Sequence, residues 1–255
     1  MRFFKRIRRR LLVNRKLREY LIYAVGEIVL VVIGILIALA IDTSLQDRAI
    51  RAKEQQYLTG LREEFRLSRR KLAELIRVNA DSYAGGYRLI AHMSETGPPP
   101  TEAEVSELLY RTFASDISFN PNNSLLLEIM NSGGLQDLSN PELRLSLTNW
   151  LATLSDIAKQ EDELYAQRGK MLDLFQSEAL SVRTVFELTT VGESGLELPP
   201  ATEMRSNLSL LESRQFENGL LMFLLTNRAT ETEHYVPLLE ELDRILIMLD
   251  RETDN

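Results

Sequence analysis

One uninterrupted apolar segment constrains this chain more than any other feature. It runs from Leu21 to Ile41, LIYAVGEIVLVVIGILIALAI, and contains a single charged residue, Glu27. At a rise of about 1.5 Å per residue, this segment makes a helix of about 31 Å, which matches the hydrocarbon thickness of a bilayer. The segment therefore predicts one transmembrane helix, with the lipid bilayer as a partner of the chain.

The charges on either side of this segment are distributed unequally. Residues 1–20 hold nine Lys or Arg and one Glu, a net charge of +8, whereas the whole 255-residue chain carries −7. Residues 42–255 therefore carry −14 once Glu27 is counted. Because basic flanks stay in the cytoplasm, we predict a cytoplasmic basic head at 1–20, a transmembrane helix at 21–41 and an extracytoplasmic domain at 42–255.

A cleaved signal peptide is the competing interpretation of the N-terminus. Ala38-Leu39-Ala40 is an A-x-A pattern that follows a basic region, as signal peptidase sites do. The apolar stretch is longer than the usual apolar region of about 7 to 15 residues, which favours a retained anchor. Cleavage after Ala40 stays open at this point.

Four residues of the segment share one helical face. Glu27, Val31, Gly34 and Ala38 are spaced by four, three and four positions. An ionisable residue within a membrane helix suggests a function, and a small-xxx-small pair allows close helix approach. These residues predict a face for helix association, with the alternative that Glu27 snorkels toward the basic head.

The same region resembles a known family. FFKRIRRRLL, then KLREYLIYAVGEI and VVIGILIALAI, are similar to the N-terminus of an uncharacterised family of bacterial, mainly Bacteroidota, single-pass membrane proteins. A second stretch, SLLLEIMNSGGLQDLSNPELR at 124–144, also resembles that family. The resemblance implies an anchor in the bacterial inner (cytoplasmic) membrane and a helical periplasmic domain, and it implies no activity.

Beyond the membrane segment, the apolar periodicity is helical. Recurrence at three, four or seven positions predicts one long helix with a buried stripe formed by Ile50, Tyr57, Leu61, Phe65, Leu72, Ile76, Asn79, Tyr83, Tyr87 and Ile90. Gly85-Gly86 predicts a kink near its end.

Further helices follow this first one in the sequence. We predict a capped helix from Thr101, a short helix at 125–130, a long helix behind Asn140-Pro141 and a last one from about 203 to 251. The last helix is predicted to break at Gly219 and to kink or split at Pro237, and residues 181–200 favour irregular or short-strand structure. The fold class predicted is all-α, with the transmembrane helix continuing into an elongated helical bundle.

The chemistry available to this chain is limited. It contains no cysteine and only two histidines, and Glu231-x-x-His234 lacks the second motif that a di-iron bundle requires. Adjacent acids such as Glu63-Glu64 and Glu161-Asp162-Glu163 diverge by about 100° on a helix, so we interpret them as solvated faces. We expect no catalytic site, no metal, no cofactor and, given the acidic domain, no nucleic-acid partner.

One row of basic residues stands out in the acidic domain. Arg62, Arg66, Arg69 and Arg70 follow each other on the first outer helix. Their simplest role is to pair with the acidic run 156–163, and the sharper alternative is contact with an anionic ligand, a lipid headgroup or a protein partner.

Two functional hypotheses remain. The first is a non-enzymatic, membrane-anchored envelope protein whose helical domain associates with itself, as a coiled coil or bundle, or with an envelope protein. The second is a sensor-like ligand-binding domain that signals through a membrane partner, because the 20 cytoplasmic residues hold no output domain.

Overall fold

The computed structural model describes residues 15–94, 98–189, 199 and 203–253. These residues form helices with no strand among them, so the all-α prediction is confirmed for this part of the chain. The α-helices are α1 (Arg15–Ser94), α2 (Glu102–Phe113), α3 (Ser124–Asn131), α4 (Pro141–Asp173), α5 (Val182–Glu187), α6 (Arg214–Ala229) and α7 (Val236–Thr253). The chain divides into two compact units, residues 1–56 and 57–255.

The first unit contains the apolar segment as part of helix α1. This is one helix, near the N-terminus, that is long and apolar enough to cross a membrane. From 18 to 50 every side chain is exposed except Ala24, which is half-buried. Ile50 was expected in the buried stripe, and that prediction is wrong because this residue is 51% exposed.

The second unit is organised around one tryptophan. Trp150 of α4 is 1% exposed, and its ring lies 5.3 Å from that of Phe65 on α1 and 6.3 Å from that of Phe119. Helix α4 also packs against α6 and α7, while α2 packs against α5. Most of the predicted stripe on α1 faces this core, but Tyr87 is exposed.

Two predicted helix starts are confirmed by their caps. The Thr101 hydroxyl accepts from the Glu104 backbone N–H and the Glu104 carboxylate accepts from the Thr101 N–H, which is a complete capping box. Asn140 accepts from two backbone N–H groups at the start of α4, with Pro141 in the first helical position. Side chains close in sequence therefore accept hydrogen bonds from the unpaired backbone N–H groups at the starts of α2 and α4.

The start of α3 is capped from elsewhere in the chain. Asn123 makes no side-chain cap there, and the Glu64 carboxylate of α1 accepts instead from the backbone N–H groups of Leu125 (2.7 Å) and Leu126 (3.2 Å). The interpretation of Glu63-Glu64 as a solvated pair is thus wrong for Glu64. Its negative charge lies where the helix dipole favours it.

Gly219 was expected to break a helix but lies within one, and Gly85-Gly86 also lie inside a helix. Helix α1 runs through Gly85-Gly86, and α6 runs through Gly219 without a break. A Cβ on Gly86 would lie 2.8 Å from Leu224 Cδ2, and one on Gly219 would lie 2.6 Å from Met171 Sδ. These glycines let neighbouring helices approach closely.

Two further expectations need correction. Residues 182–187 are helix α5, with Ser181 as its N-cap, and not a strand; residues 190–198 of the same predicted region lie outside the described ones. Pro237 does not split the last helix, because a π-helical stretch, Thr230–Tyr235, precedes it. There the Val236 N–H donates to the Glu231 carbonyl, and this wider turn carries the helix past a residue that lacks an N–H.

Candidate functional site

The basic row on α1 pairs with a different helix from the one expected. An Arg66 Nη lies 2.9 Å from an Asp250 carboxylate oxygen, and Arg69 Nε lies 2.6 Å from Asp243 Oδ1. Arg62 donates to the Thr253 hydroxyl at 2.8 Å. These partners belong to α7, so the predicted pairing with residues 156–163 is wrong. The arginines do form ion pairs with another helix, but that helix is α7.

The electrostatics of this row are those of a surface network. The Asp243 carboxylate raises the pKa of Arg69, first through its hydrogen bond and then through its charge. Arg70 is exposed and makes no hydrogen bond or ion pair with the described residues. The row therefore fastens α1 to α7 and leaves Arg70 as the member available to a partner.

The four residues predicted as an association face lie on the exposed surface of α1. Glu27, Val31, Gly34 and Ala38 are all exposed, and a Cβ on Gly34 would meet no described atom within 4 Å. The association of this face stays a prediction.

A buried carboxylate joins three parts of the second unit. Glu161 of α4 is only 8% exposed, and its Oε1 accepts from the Phe119 backbone N–H and from the Tyr235 hydroxyl, both at 2.7 Å. The interpretation of Glu161 as part of a solvated acidic face is therefore wrong. Its neighbours fix the 114–123 loop and the π-helical stretch against α4.

Burial raises the pKa of both members of this hydrogen bond. Burial raises the pKa of Glu161, and hydrogen bonds from Tyr235, the Phe119 N–H and Ser118 oppose that rise. Burial also raises the pKa of Tyr235, followed by the charge of Glu161 and the hydrogen bond to it. Tyr235 therefore stays a proton donor, and its hydrogen bond to Glu161 links the π-helical stretch to α4.

The Glu231 side chain of the Glu231-x-x-His234 pair is held by neighbouring polar side chains. The Glu231 side chain is 13% exposed, and its carboxylate accepts hydrogen bonds from Asn79 at 3.2 Å and from Arg228 at 2.9 Å. In the described part of the chain, no three His, Asp or Glu side chains lie close enough together to hold a metal ion.

An exposed apolar stripe on α6 was missed by the sequence analysis. Leu221, Met222 and Leu225 are 46%, 50% and 65% exposed, and their spacing of one and three places them on one side of the helix. The opposite side, with Phe216, Leu220 and Phe223, is fully buried. A helix that is apolar on both sides gives no clear amphipathic signal, so only the packing tells which side is free.

Comparisons with known proteins gave no match to a family model, to a curated protein or to a solved structure.

Proposed function

We propose that this chain is a membrane-anchored, non-enzymatic protein whose helical domain works by protein–protein association. The observation that carries this proposal is the α6 stripe, Leu221, Met222 and Leu225, because three adjacent apolar side chains at this exposure are typical of interaction surfaces. Arg70 adds an exposed cation that pairs with none of the described residues. The association partner that we propose is a second copy of the chain, and an envelope protein is the alternative.

We further propose the topology implied by the flanking charges. The basic head lies in the cytoplasm, α1 crosses the inner membrane of a bacterium, and the domain lies in the periplasm. The face of Glu27, Val31, Gly34 and Ala38 adds a second contact between copies within the bilayer. Membership of the Bacteroidota membrane-protein family that the N-terminus resembles belongs to the same proposal.

The absence of cysteine makes the association directly testable. A single cysteine at exposed Asn218, beside the stripe, should form an intermolecular disulfide in oxidised native membranes. Leu225→Arg in that background should abolish it. Leu145→Arg is the matched control, since Leu145 is 62% exposed on α4 and lies outside the stripe.

The outcomes separate the alternatives. Loss of the disulfide in the Leu225 variant only supports self-association through α6, whereas equal loss in both variants, or none, contradicts it. A cross-link to a protein of different mass would assign the stripe to a heterologous partner. A membrane-impermeant maleimide that reacts with Leu145→Cys in whole spheroplasts tests the topology, and the mass of the purified chain tests cleavage after Ala40.

A further inference from the structure

The second unit contains a cavity of about 360 Å³ between α2, α4 and α5. This volume lies within the range of small-molecule sites, about 300 to 1,000 Å³. The lining residues are Leu109, Tyr110, Phe113, Ala114, Arg168, Leu172, Phe175, Val182, Val185 and Phe186. All but one of these lining residues are uncharged, and most are aliphatic or aromatic.

The cavity has a closed side and an open side. Leu109, Phe113 and Val185 are 3%, 4% and 6% exposed and form the inner wall. The ring of Phe113 is backed by that of Phe223, 5.2 Å away, which keeps this wall in place. Leu172 and Val182 are 37% and 41% exposed, so they mark the side through which a ligand would enter.

One cation lies in this apolar lining. Arg168 is half-buried, and its Nε donates to the Phe113 carbonyl oxygen at 2.8 Å, which holds the guanidinium in a fixed orientation. No carboxylate among the described residues pairs with it, so its Nη groups are left to bind an anion. Tyr110 adds a hydroxyl without a hydrogen-bond partner in the described part of the chain.

We infer that this cavity binds a medium-chain fatty acid. The carboxylate would accept two hydrogen bonds from the Arg168 Nη groups, which is the geometry that guanidinium and carboxylate favour. The hydrocarbon tail would contact Phe113, Phe175 and Phe186. The charge complementarity is specific, because an apolar wall with a single fixed cation fits an amphiphile with a single anionic end.

This inference is independent of the association through α6. It gives the sensor-like hypothesis a ligand site, and its failure would leave the α6 proposal untouched because the α6 stripe and the cavity share no residue. The fatty acid would come from the bilayer to which we propose the chain is anchored.

A photoreactive probe tests the site. The full chain, held in amphipol to avoid small detergents, is irradiated with a diazirine-bearing dodecanoate, and the labelled peptides are identified by mass spectrometry. We expect labels within 109–114 and 172–186, and their displacement by unlabelled dodecanoate. Labels spread over 21–41, or labels that dodecanoate does not displace, would overturn the site.

Variants separate the two parts of the recognition. Arg168→Gln should weaken dodecanoate binding by about tenfold or more and leave dodecanol binding unchanged, because only the charged contact is lost. Val182→Trp should fill the entrance of the cavity and abolish the binding of both dodecanoate and dodecanol. Arg70→Gln, which alters an unpaired arginine outside the cavity, is the control and should change nothing.

Two results would contradict the assignment. If dodecanol binds as tightly as dodecanoate, Arg168 does not contribute to binding through the carboxylate, and the fatty-acid assignment is wrong. A lysophospholipid that displaces the probe at lower concentration than dodecanoate would assign the cavity to a phosphate-bearing lipid and overturn the carboxylate. Thermal shifts of each variant without ligand confirm that the chain is folded, so weak binding is not mistaken for unfolding.

Discussion

Replacing the buried carboxylate of Glu161 with an apolar side chain should destabilise the second unit strongly. In Glu161→Leu, the Phe119 N–H and the Tyr235 hydroxyl both lose their acceptor. Tyr235 is fully buried and Phe119 is 8% exposed, so water reaches neither donor readily. Glu161→Gln is the matched control, because its amide oxygen can accept both bonds.

The magnitude follows from the two buried donors left unpaired, because Ser118, which also bonds to Glu161, is exposed and can bond to water instead. A buried donor without an acceptor costs about 1 to 3 kcal/mol. The leucine also removes the cost of burying a carboxylate, so we expect the free energy of unfolding to fall by about 2 to 4 kcal/mol. For Glu161→Gln we expect a loss of less than about 1 kcal/mol, since both bonds are retained.

The pH dependence adds an independent check with a definite sign. Because burial raises the pKa of Glu161 above the ordinary value of 4.5, the folded state binds this proton more tightly than the unfolded state. The contribution to stability is therefore present below 4.5 and is lost as the pH rises through the folded-state pKa. Wild type should gain stability relative to Glu161→Gln as the pH falls toward 4.5.

The chain supplies its own probe for this measurement. Trp150 is the single tryptophan, it is fully buried, and its ring lies 6.3 Å from that of Phe119. Urea unfolding of the full chain in micelles, followed by Trp150 emission, reports the second unit directly. A leucine variant as stable as the glutamine variant, or a wild-type advantage that grows with rising pH, would refute the reasoning.

Three further predictions each compare a pair of substitutions, and each is measured by urea unfolding. Asp250→Ala should lower the free energy of unfolding by less than about 1 kcal/mol, and by less in high salt, because the Arg66–Asp250 ion pair is half-exposed. Arg70→Ala, the control, should leave the free energy of unfolding unchanged. A loss in Asp250→Ala that does not depend on salt would contradict this. Gly169→Ala should stabilise α4 by up to about 1 kcal/mol because its Cβ meets nothing, whereas Gly86→Ala should destabilise by about 1 kcal/mol; the same sign in both would contradict this. Asn140→Ala should cost about 1 kcal/mol through the lost N-cap, and Asn140→Ser should restore most of it.

Local signals in the sequence correctly predict two helix starts. The Thr101-Glu104 box and the Asn140-Pro141 start each depend on residues within four positions of each other, so spacing alone identifies them. The all-α class followed from apolar periodicity over long stretches. These features need no knowledge of what packs against them.

Long-range contacts were the ones that the sequence could not supply. Glu64 caps a helix that begins 60 positions later, and Glu161 bonds to a tyrosine 74 positions away, so both resemble ordinary surface acids in the sequence. The partner of Arg66 is on α7, and nothing in the spacing favours that helix over α4. Arg168 likewise could not be recognised as a candidate ligand-binding residue from the sequence, because the apolar residues beside it belong to α2 and α5.

The π-helical stretch before Pro237 also sets the rotational position of everything that follows it. A π turn accommodates one residue more than an α turn, and one residue corresponds to about 100° around a helix axis. If residues 230–235 formed an ordinary α-helix instead, α7 would therefore be rotated by about that angle. Asp243 and Asp250 would turn away from the arginines of α1, and Leu242, which is fully buried, would turn toward solvent. Because deletion of one residue from 230–235 would convert the π turn into an α turn and keep α7 in its present rotational position, this deletion should be tolerated better than the insertion of one more residue there.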